Sequence, residues 1–279
     1  MNKRTTVAAV LAVMLMSGCG TSTTHKRKTP EVTGEVELTV LKAGQADAMV
    51  LQTENHCVII DCGEKDDGDK ITECLEKNGI SAVDYIFITH FDKDHIGGFP
   101  EVAESVAVGN IVVPNYEGSN SEYKKYIKSV NENDLTVTVL EEDTAFEVDD
   151  VLFEVSAPKK QDYAEGDNDF SIVISVTHGE NSFLLAGDAE EERLSEVMSE
   201  FTGEYDFLKV PHHGRYNKKT TAFINSVKPS YCVITDSEKN SAETETVTAL
   251  EKVGCKIYST KNGDVHITSN GENIKITQN

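Results

Sequence analysis

Apolar and polar positions alternate from residue 36 onward in a way that predicts many short strands separated by helices. Ile71 and Leu75 have helical spacing before Gly79, which predicts a helix over 69–79. The predicted strands are short apolar runs bounded by turn residues, the first two forming an antiparallel pair: 36–41, 48–53, 57–62, 84–89, 110–114, 135–140, 146–148, 151–158, 171–178, 182–188, 207–211 and 231–235.

The rest of the pattern predicts a mixed α/β domain. Because no charge-rich or Pro/Gly-rich linker interrupts residues 34–279, we expect one domain there with more than one sheet. The dipeptides Asn262-Gly263 and Asn270-Gly271 are typical of hairpin turns, so the last three strands should form an antiparallel ribbon. These strands are 256–260, 264–269 and 273–277, and the further predicted helices are 101–107, 121–132, 189–201, 220–226 and 243–253.

The N-terminal residues have the features of an export signal. Two basic residues precede the ten-residue apolar run "VAAVLAVMLM", and "MSGC" resembles a bacterial lipobox with Met16 at the usual leucine position. We expect residues 1–18 to be a lipoprotein signal peptide, Cys19 to be lipidated and residues 19–33 to be a flexible tether. An acylated Cys19 would anchor the protein to the cell membrane, in an extracytoplasmic location. An ordinary signal peptide with a coincidental cysteine is the alternative.

Charge and cysteine content narrow the functional classes. The net charge of -22, from 26 basic and 48 acidic residues, opposes nucleic-acid binding unless a local basic patch overrides it. The five cysteines after Cys19 are odd in number and form no CxxC pair, which argues against a zinc ribbon or a disulfide framework. Among them, Cys57 and Cys62 flank apolar residues and are expected to be core thiols.

The stretch "THFDKDHIGG" concentrates metal-ligand residue types directly after a predicted strand. His90 and Asp92 are two residues apart, so an extended chain would project both to one side. Asp94 and His95 lie on the turn into the next helix and would reach a second point nearby. This division suits two neighbouring divalent ions, whereas a solvated acidic loop with two stray histidines is the alternative.

Two further strand ends carry the same residue types. Asp188 ends the apolar run "FLLAG", where it would either cap a helix or bind metal. His212 and His213 follow "FLKVP" and precede a glycine. In α/β folds the carboxyl ends of strands are where sites form, so these three segments should converge.

On these motifs the sequence is similar to the metallo-β-lactamase superfamily. More narrowly, it resembles the metallo-hydrolase domain of bacterial competence (DNA-uptake) proteins. The matching segments occur in order over about 37–270: "IIDCG", "THFDKDHIGG", "NDFSIVI", "FLLAGD" and "LKVPHHG". The resemblance implies a four-layer αββα sandwich, a site at one edge of the two sheets, and one or two divalent metal ions, Zn or Mn.

The resemblance also implies residue roles. Asp188 would bridge two ions, and Asp94 would orient the attacking water and accept its proton. Either His212 or His213 would complete the second site; His213 is favoured as the ligand and His212 as the group that contacts the substrate phosphate or leaving group. The implied metal ligands are His90 and Asp92 for the first ion, and Asp94, His95, Asp188 and His213 for the second.

Several positions depart from the superfamily pattern. Asp92 and Asn168 stand where the broad superfamily has histidines, as in the competence-type branch. The first site is therefore richer in oxygen, and such a site suits Mn²⁺ or Mg²⁺ better than a three-histidine zinc pocket does. Arg215 replaces the serine that this branch has after "HHG", and the branch's His-Pro signature is missing near Asn240. We expect Asn168 and Arg215 to bind substrate; an uninvolved surface arginine is the alternative.

Other charged residues have less specific interpretations. Lys209, Lys218 and Lys219 flank the paired histidines and would either bind an anionic substrate or lie solvated at the surface. His178, in the segment "THGEN", is expected to be a surface or turn residue.

The sequence therefore predicts a metal-dependent hydrolase of the phosphodiesterase or nuclease type, acting outside the cytoplasmic membrane. Its expected partners are a phosphodiester or other anionic ester, DNA as one such substrate, and the membrane through Cys19. Hydrolysis of a small cell-wall ester or phosphodiester fits the acidic composition better. A lipoprotein that binds metal or ligand without turnover is the third hypothesis.

Overall fold

The computed structural model describes residues 32–164 and 166–279, so the predicted signal peptide, Cys19 and the tether up to residue 31 lie outside the described residues. The strands are β1 (Val36–Val40), β2 (Ala48–Gln52), β3 (Cys57–Cys62), β4 (Ala82–Phe87), β5 (Ala107–Pro114), β6 (Val137–Leu140), β7 (Thr144–Val148), β8 (Val151–Ser156), β9 (Val173–His178), β10 (Asn181–Leu185), β11 (Phe207–Lys209), β12 (Tyr231–Ile234), β13 (Lys256–Ser259), β14 (Val265–Ser269) and β15 (Ile274–Gln278). The helices are α1 (Gly68–Lys77), α2 (Lys93–Ile96), α3 (Phe99–Ser105), α4 (Ser121–Glu132), α5 (Glu191–Glu200), α6 (Thr220–Val227) and α7 (Thr244–Lys252). Of these helices, none combines the length and the apolar character that a membrane span needs.

Two sheets pack face to face and are covered by helices on both outer sides. One sheet has the strand order β15-β14-β1-β2-β3-β4-β5-β6, and the other has the order β13-β12-β11-β10-β9-β8-β7. Leu38 and Phe87 of the first sheet meet Phe153 and Phe183 of the second in one buried cluster. Helices α1, α3 and α4 contribute to a second cluster, and α5, α6 and α7 to a third. The predicted αββα sandwich is thus confirmed.

The strand directions bring the predicted motifs together. In the first sheet β3, β4 and β5 are parallel, and in the second β10, β11 and β12 are parallel. The carboxyl ends of parallel strands lie at one edge of each sheet. Asp61 lies at the end of β3, the "THFDKDHIGG" loop follows β4, Asp188 follows β10, and the paired histidines follow β11.

The C-terminal prediction is wrong in part. The dipeptide Asn270-Gly271 does join the antiparallel strands β14 and β15. Strand β13, however, pairs in parallel with β12 of the other sheet, with Tyr231 opposite Lys256. Asn262-Gly263 therefore carries the chain from one sheet to the other. Gly263 has a φ of 142°, and a Cβ there would lie 1.4 Å from the Asn279 carbonyl oxygen, so glycine is required for close approach rather than for a hairpin.

Smaller corrections concern helix ends and one histidine. The helix predicted over 101–107 is Phe99–Ser105, because Ala107 already pairs with Ala82 in the first sheet. His178 is completely buried at the end of β9, where its Nδ1 lies 2.8 Å from Ser269 Oγ, so the expectation of a surface residue is wrong.

Candidate metal centre

The "THFDKDHIGG" loop is held close to the end of β3 by its two glycines. A Cβ at Gly98 would lie 2.4 Å from the Cys62 carbonyl oxygen, and one at Gly97 would lie 2.5 Å from Lys65 N. Only glycine permits this approach, and the Gly97 N–H donates to the Gly63 carbonyl at 2.8 Å. Helix α2 therefore begins at the sheet edge and carries Asp94 and His95 with it.

Four predicted ligands converge at this edge. Asp94, His95, Asp188 and His213 offer ligand atoms that all lie within 4.8 Å of one another. His213 Nε2 is 3.0 Å from Asp188 Oδ2 and 3.4 Å from Asp94 Oδ2, and His95 Nε2 is 3.3 Å from Asp188 Oδ2. Ligands about 2.0–2.2 Å from a tetrahedral ion lie about 3.3–3.6 Å apart, which is close to this spacing.

The chemistry of the cluster fits a divalent metal. The Nε2 atoms of His90, His95 and His213 are buried and make no hydrogen bond of good geometry. Buried polar atoms normally have a partner, and imidazole nitrogens facing carboxylate oxygens are the donor set that Zn²⁺ and Mn²⁺ accept. The residues therefore fit the implied ion.

Two aspartates behind the cluster orient its histidines. His95 Nδ1 is 2.7 Å from Asp61 Oδ2, and Asp61 also accepts hydrogen bonds from the Thr89 amide and hydroxyl. His213 Nδ1 is 2.9 Å from Thr235 Oγ1, which donates to Asp47 Oδ1 at 2.7 Å. Such contacts to Nδ1 direct Nε2 toward a metal.

His90 and Asp92, the ligands predicted for the first ion, lie beside the cluster. His90 is buried and its ring centroid is 4.0 Å from that of His95. Its Nε2 lies 3.7 Å from Asp92 Oδ2, and the Asp92 side chain is 40% exposed. This pair is open to solvent on the Asp92 side and has fewer converging ligands than the four-residue cluster.

The adjacent histidines have different surroundings. Both have left-handed backbone, with φ of 47° for His212 and 53° for His213, so one ring turns inward and the other remains at the rim. His213 is buried in the cluster. His212 Nε2 is 3.9 Å from Asp188 Oδ2, and its Nδ1 is 2.6 Å from Glu190 Oε1. The geometry favours His213 as the ligand.

Asn168 contacts the site through Glu190. Its side-chain amide donates to Glu190 Oε1 at 3.0 Å, the same oxygen that contacts His212. The amide therefore helps to fix the His212 ring, and none of the described residues beside Asn168 lines the main cavity near Asp94.

Lys209 does not reach the surface. Its side chain is completely buried and its Nζ forms ion pairs with Asp47 and with Asp188, the latter at 3.4 Å from Oδ1. The alternatives of substrate binding or a solvated lysine are therefore wrong, and this cation instead neutralises carboxylates behind the cluster. Lys218, by contrast, is exposed and pairs with Glu191 at 3.4 Å.

The electrostatics of the cluster favour positive charge at its centre. Burial opposes the His213 imidazolium, but Asp188 and Asp94 outweigh it and raise its pKa to about 9. The pKa of His95 is also raised, since Asp188 and Asp61 outweigh the effect of burial. Burial raises the pKa of the Asp188 carboxyl, yet the neighbouring His213 and His95 outweigh burial and hold this pKa well below the usual range. A proton or a metal ion satisfies the same demand.

A cavity of about 590 Å³ opens onto the cluster. Asp94, His212, His213 and Arg215 line it, so the structure brings these predicted residues to one surface. Sequence reasoning missed several other participants. Asp61 lies within the motif "IIDCG". Nothing in the local sequence identifies Asp47, Glu190, Gln45 or Lys239 as site residues, or predicts that Lys209 is buried.

Comparison with known proteins bears on the family and on the fold. The family model for the metallo-beta-lactamase superfamily matches residues 41–233. ComE operon protein 3 of Bacillus subtilis is 28% identical over 230 residues, which cover 76% of this chain and 30% of that protein. Competence protein ComA of Neisseria gonorrhoeae is 25% identical over 232 residues, which cover 81% of this chain and 31% of that protein. The chain thus spans about a third of the length of these relatives. The metallo-beta-lactamase fold protein YhfI of Bacillus subtilis superposes with a TM-score of 0.57 at 8% identity, covering 87% of this chain and all of YhfI.

Proposed function

Because the chain belongs to the metallo-beta-lactamase superfamily, we propose that it is a metal-dependent phosphodiester hydrolase acting outside the cytoplasmic membrane. One observation carries the proposal: Asp94, His95, Asp188 and His213 converge, and the buried Nε2 atoms of the two histidines face carboxylate oxygens without a hydrogen bond of good geometry. Such a cluster at the floor of an open cavity serves catalysis better than structure, since a structural site is usually closed.

The side chains have separate roles in this proposal. Asp94, His95, Asp188 and His213 would hold one ion, and His90 and Asp92 would hold a second with help from Asp188. The ions, when bound, supply an activated water and neutralise charge that develops on the ester.

The residues of the chain itself orient and move protons. The Asp94 side chain is 22% exposed on the cavity wall, so one carboxylate oxygen can face the attacking water and accept its proton. His212 lies at the rim with Glu190 on its Nδ1, which presents Nε2 to the leaving group. Lys209 holds Asp188 Oδ1, so Oδ2 remains directed at the histidines.

The choice of metal follows from the ligand types. The proposed first site has one imidazole and carboxylate oxygens, because Asp92 and Asn168 stand where the superfamily has histidines. Oxygen-rich sites suit Mn²⁺ better than three-histidine sites do, whereas the second site suits Zn²⁺ or Mn²⁺. We therefore expect Mn²⁺ to support the highest rate.

The substrate class rests on the relatives and on the cavity. Relatives that are named as competence proteins, together with Arg215 on the cavity wall, favour a phosphodiester, with DNA as one such substrate. The proposed location rests on the lipobox-like "MSGC" at Cys19, whose lipid would also bind the membrane. The net charge of -22 favours a second candidate, a small cell-wall ester or phosphodiester.

A substrate panel tests the proposal. The purified protein is treated with chelator, reloaded with Mn²⁺ or Zn²⁺, and offered bis-p-nitrophenyl phosphate, single-stranded DNA, p-nitrophenyl acetate and a β-lactam. We expect metal-dependent turnover of the phosphodiesters. Turnover of only the acetate or the β-lactam would contradict the proposed substrate class. The absence of turnover with every metal, in a protein that retains bound metal, would identify a non-catalytic binding protein.

A further inference from the structure

Two cations without ionic partners stand on the cavity wall beside His213. Arg215 and Lys239 line both the main cavity and a smaller adjoining one of about 250 Å³. Within the described residues, neither side chain forms an ion pair or a side-chain hydrogen bond. Lys93, on the same wall, pairs with Glu64 at 2.7 Å, and Lys218 nearby pairs with Glu191.

The backbone builds this pair of cations onto the metal centre. Gly214 has a φ of 81°, and a Cβ there would lie 2.6 Å from Ala242 Cβ, so the 237–243 loop packs directly on it. The Glu243 amide donates to the Gly214 carbonyl at 3.0 Å. The loop is closed by a hydrogen bond from the Ser237 amide to the Asn240 carbonyl at 3.2 Å, which presents Lys239 at its tip.

The end of strand β12 leads both to a contact with His213 and to the 237–243 loop. Thr235 follows β12, its hydroxyl oxygen accepts a hydrogen bond from His213 Nδ1, and it lies two residues before the 237–243 loop. The position of Lys239 is thereby linked to that of a proposed metal ligand. Gln45 and Asn240 add amide groups to the same wall, which suits a ligand with several acceptor oxygens.

We propose that Arg215 and Lys239 form an anion subsite that binds a second phosphate beside the scissile phosphodiester. This inference rests on the proposed function and extends it to the substrate class: the enzyme acts on phosphodiesters that carry a neighbouring phosphate. Arg215 offers a planar fork of donors to phosphate oxygens and Lys239 a mobile point charge. The subsite is a local basic patch that overcomes the acidic average of the chain.

Binding of inorganic pyrophosphate to the chelator-treated full chain tests the subsite without requiring turnover. Isothermal titration calorimetry compares the wild type with Arg215→Ala, Lys239→Ala and the double variant. We expect each single variant to weaken binding about three- to tenfold and the double variant more than tenfold, as for exposed charge-assisted contacts. Glu243→Gln removes the carboxylate that lines the smaller cavity and should tighten binding.

Lys218→Ala is the matched control, because Lys218 is exposed on the same face but pairs with Glu191 and does not line the cavity. It should bind pyrophosphate as the wild type does. No binding by the wild type, an unchanged double variant, or an equal loss in Lys218→Ala would overturn the proposal. Absent turnover with intact pyrophosphate binding would overturn the hydrolase proposal instead, so the two failures are distinguishable.

Competition identifies the source of the second phosphate. Oligothymidylate and poly(glycerol phosphate) are titrated against bound pyrophosphate. Displacement by oligothymidylate alone indicates nucleic acid, and displacement by poly(glycerol phosphate) alone indicates a cell-wall polyol phosphate; either supports the subsite. Displacement by neither contradicts it.

Discussion

Lys209 Nζ lies 3.4 Å from Asp188 Oδ1, and both side chains are buried. The ammonium group also contacts Asp47, so one cation serves two buried carboxylates. Burial lowers the pKa of a lysine, but here Asp47 and Asp188 outweigh that effect and raise it. Lys209 is therefore charged, and it leaves only Asp188 Oδ2 directed toward His95 and His213.

Replacement of this lysine should destabilise the metal-free protein. Lys209→Met preserves most of the side-chain volume but leaves two carboxylates buried without their cation. Breaking a buried ion pair in this way costs about 3–5 kcal/mol. Urea unfolding of the chelator-treated protein measures the loss, with the exposed Lys218→Met as control. An unfolding midpoint equal to that of the wild type would show that Lys209 contributes nothing here.

The two adjacent histidines should separate metal binding from turnover. His213→Ala removes a buried ligand and should lower metal affinity at least tenfold, because its Nε2 lies between Asp94 and Asp188. His212→Ala should retain wild-type metal content and lose most activity, since its ring stands at the rim. Metal analysis after gel filtration, beside the rate of bis-p-nitrophenyl phosphate hydrolysis, reports both. Metal loss in His212→Ala with retention in His213→Ala would reverse the assignment.

Cys57 and Cys74 should be unreactive in the folded protein. Burial raises the pKa of Cys57 to about 12 and that of Cys74 to about 11, with neighbouring carboxylates adding to the effect. The thiolate is the nucleophile, so alkylation by iodoacetamide at pH 8 should be at least about 100-fold slower than in urea. Labelling followed by peptide mass spectrometry gives the rate at each site. Native labelling of Cys74 as fast as in urea would contradict this description.

Asp149 should make stability depend on pH in the acid range. Burial is the largest single influence and raises its pKa, but the hydrogen bonds from Thr53 Oγ1 at 2.6 Å and from Asn55 together outweigh burial and lower the pKa. A lowered folded-state pKa stabilises the protein above the unfolded value of about 3.9, and this stability disappears as pH falls through the folded value.

Asp149→Asn tests this without straining the backbone, because asparagine also tolerates the left-handed φ of 52°. At pH 7 the variant should be about 1 kcal/mol less stable, and the difference should shrink toward pH 3. Thermal unfolding at several pH values measures it. A difference that is independent of pH would assign the effect to shape rather than charge.

Much of the site could be predicted because its residues follow apolar strands. Each segment of the site follows a buried strand, and the ends of parallel strands meet at one edge of a sheet. The segment after β4 carries His90 and Asp94, the one after β10 carries Asp188, and the one after β11 carries His213. Their convergence was thus encoded in local pattern. Asp61 was harder to recognise, because an aspartate inside "VIIDC" gives no sign of the left-handed turn, with φ of 59°, that directs it to His95.

The remaining participants depend on contacts between distant segments. In "FLKVP", Lys209 occupies an ordinary polar position of a strand, which does not predict its burial. The burial depends on the ion pair with Asp47, which lies more than a hundred and fifty residues earlier in the chain. Likewise, the pairing predicted for β13 is wrong, because hydrophobic alternation does not specify which sheet a strand enters. Lys239 lies in a polar loop whose position depends on Gly214.

The most direct test of the account is the rate of bis-p-nitrophenyl phosphate hydrolysis as Mn²⁺ is added to the chelator-treated protein. The rate should rise from zero and saturate near two equivalents of metal. Asp188→Asn, which weakens the proposed bridging ligand, should remain inactive over the same range. A rate that stays at zero at every metal concentration, or one that is equal in Asp188→Asn, would contradict it.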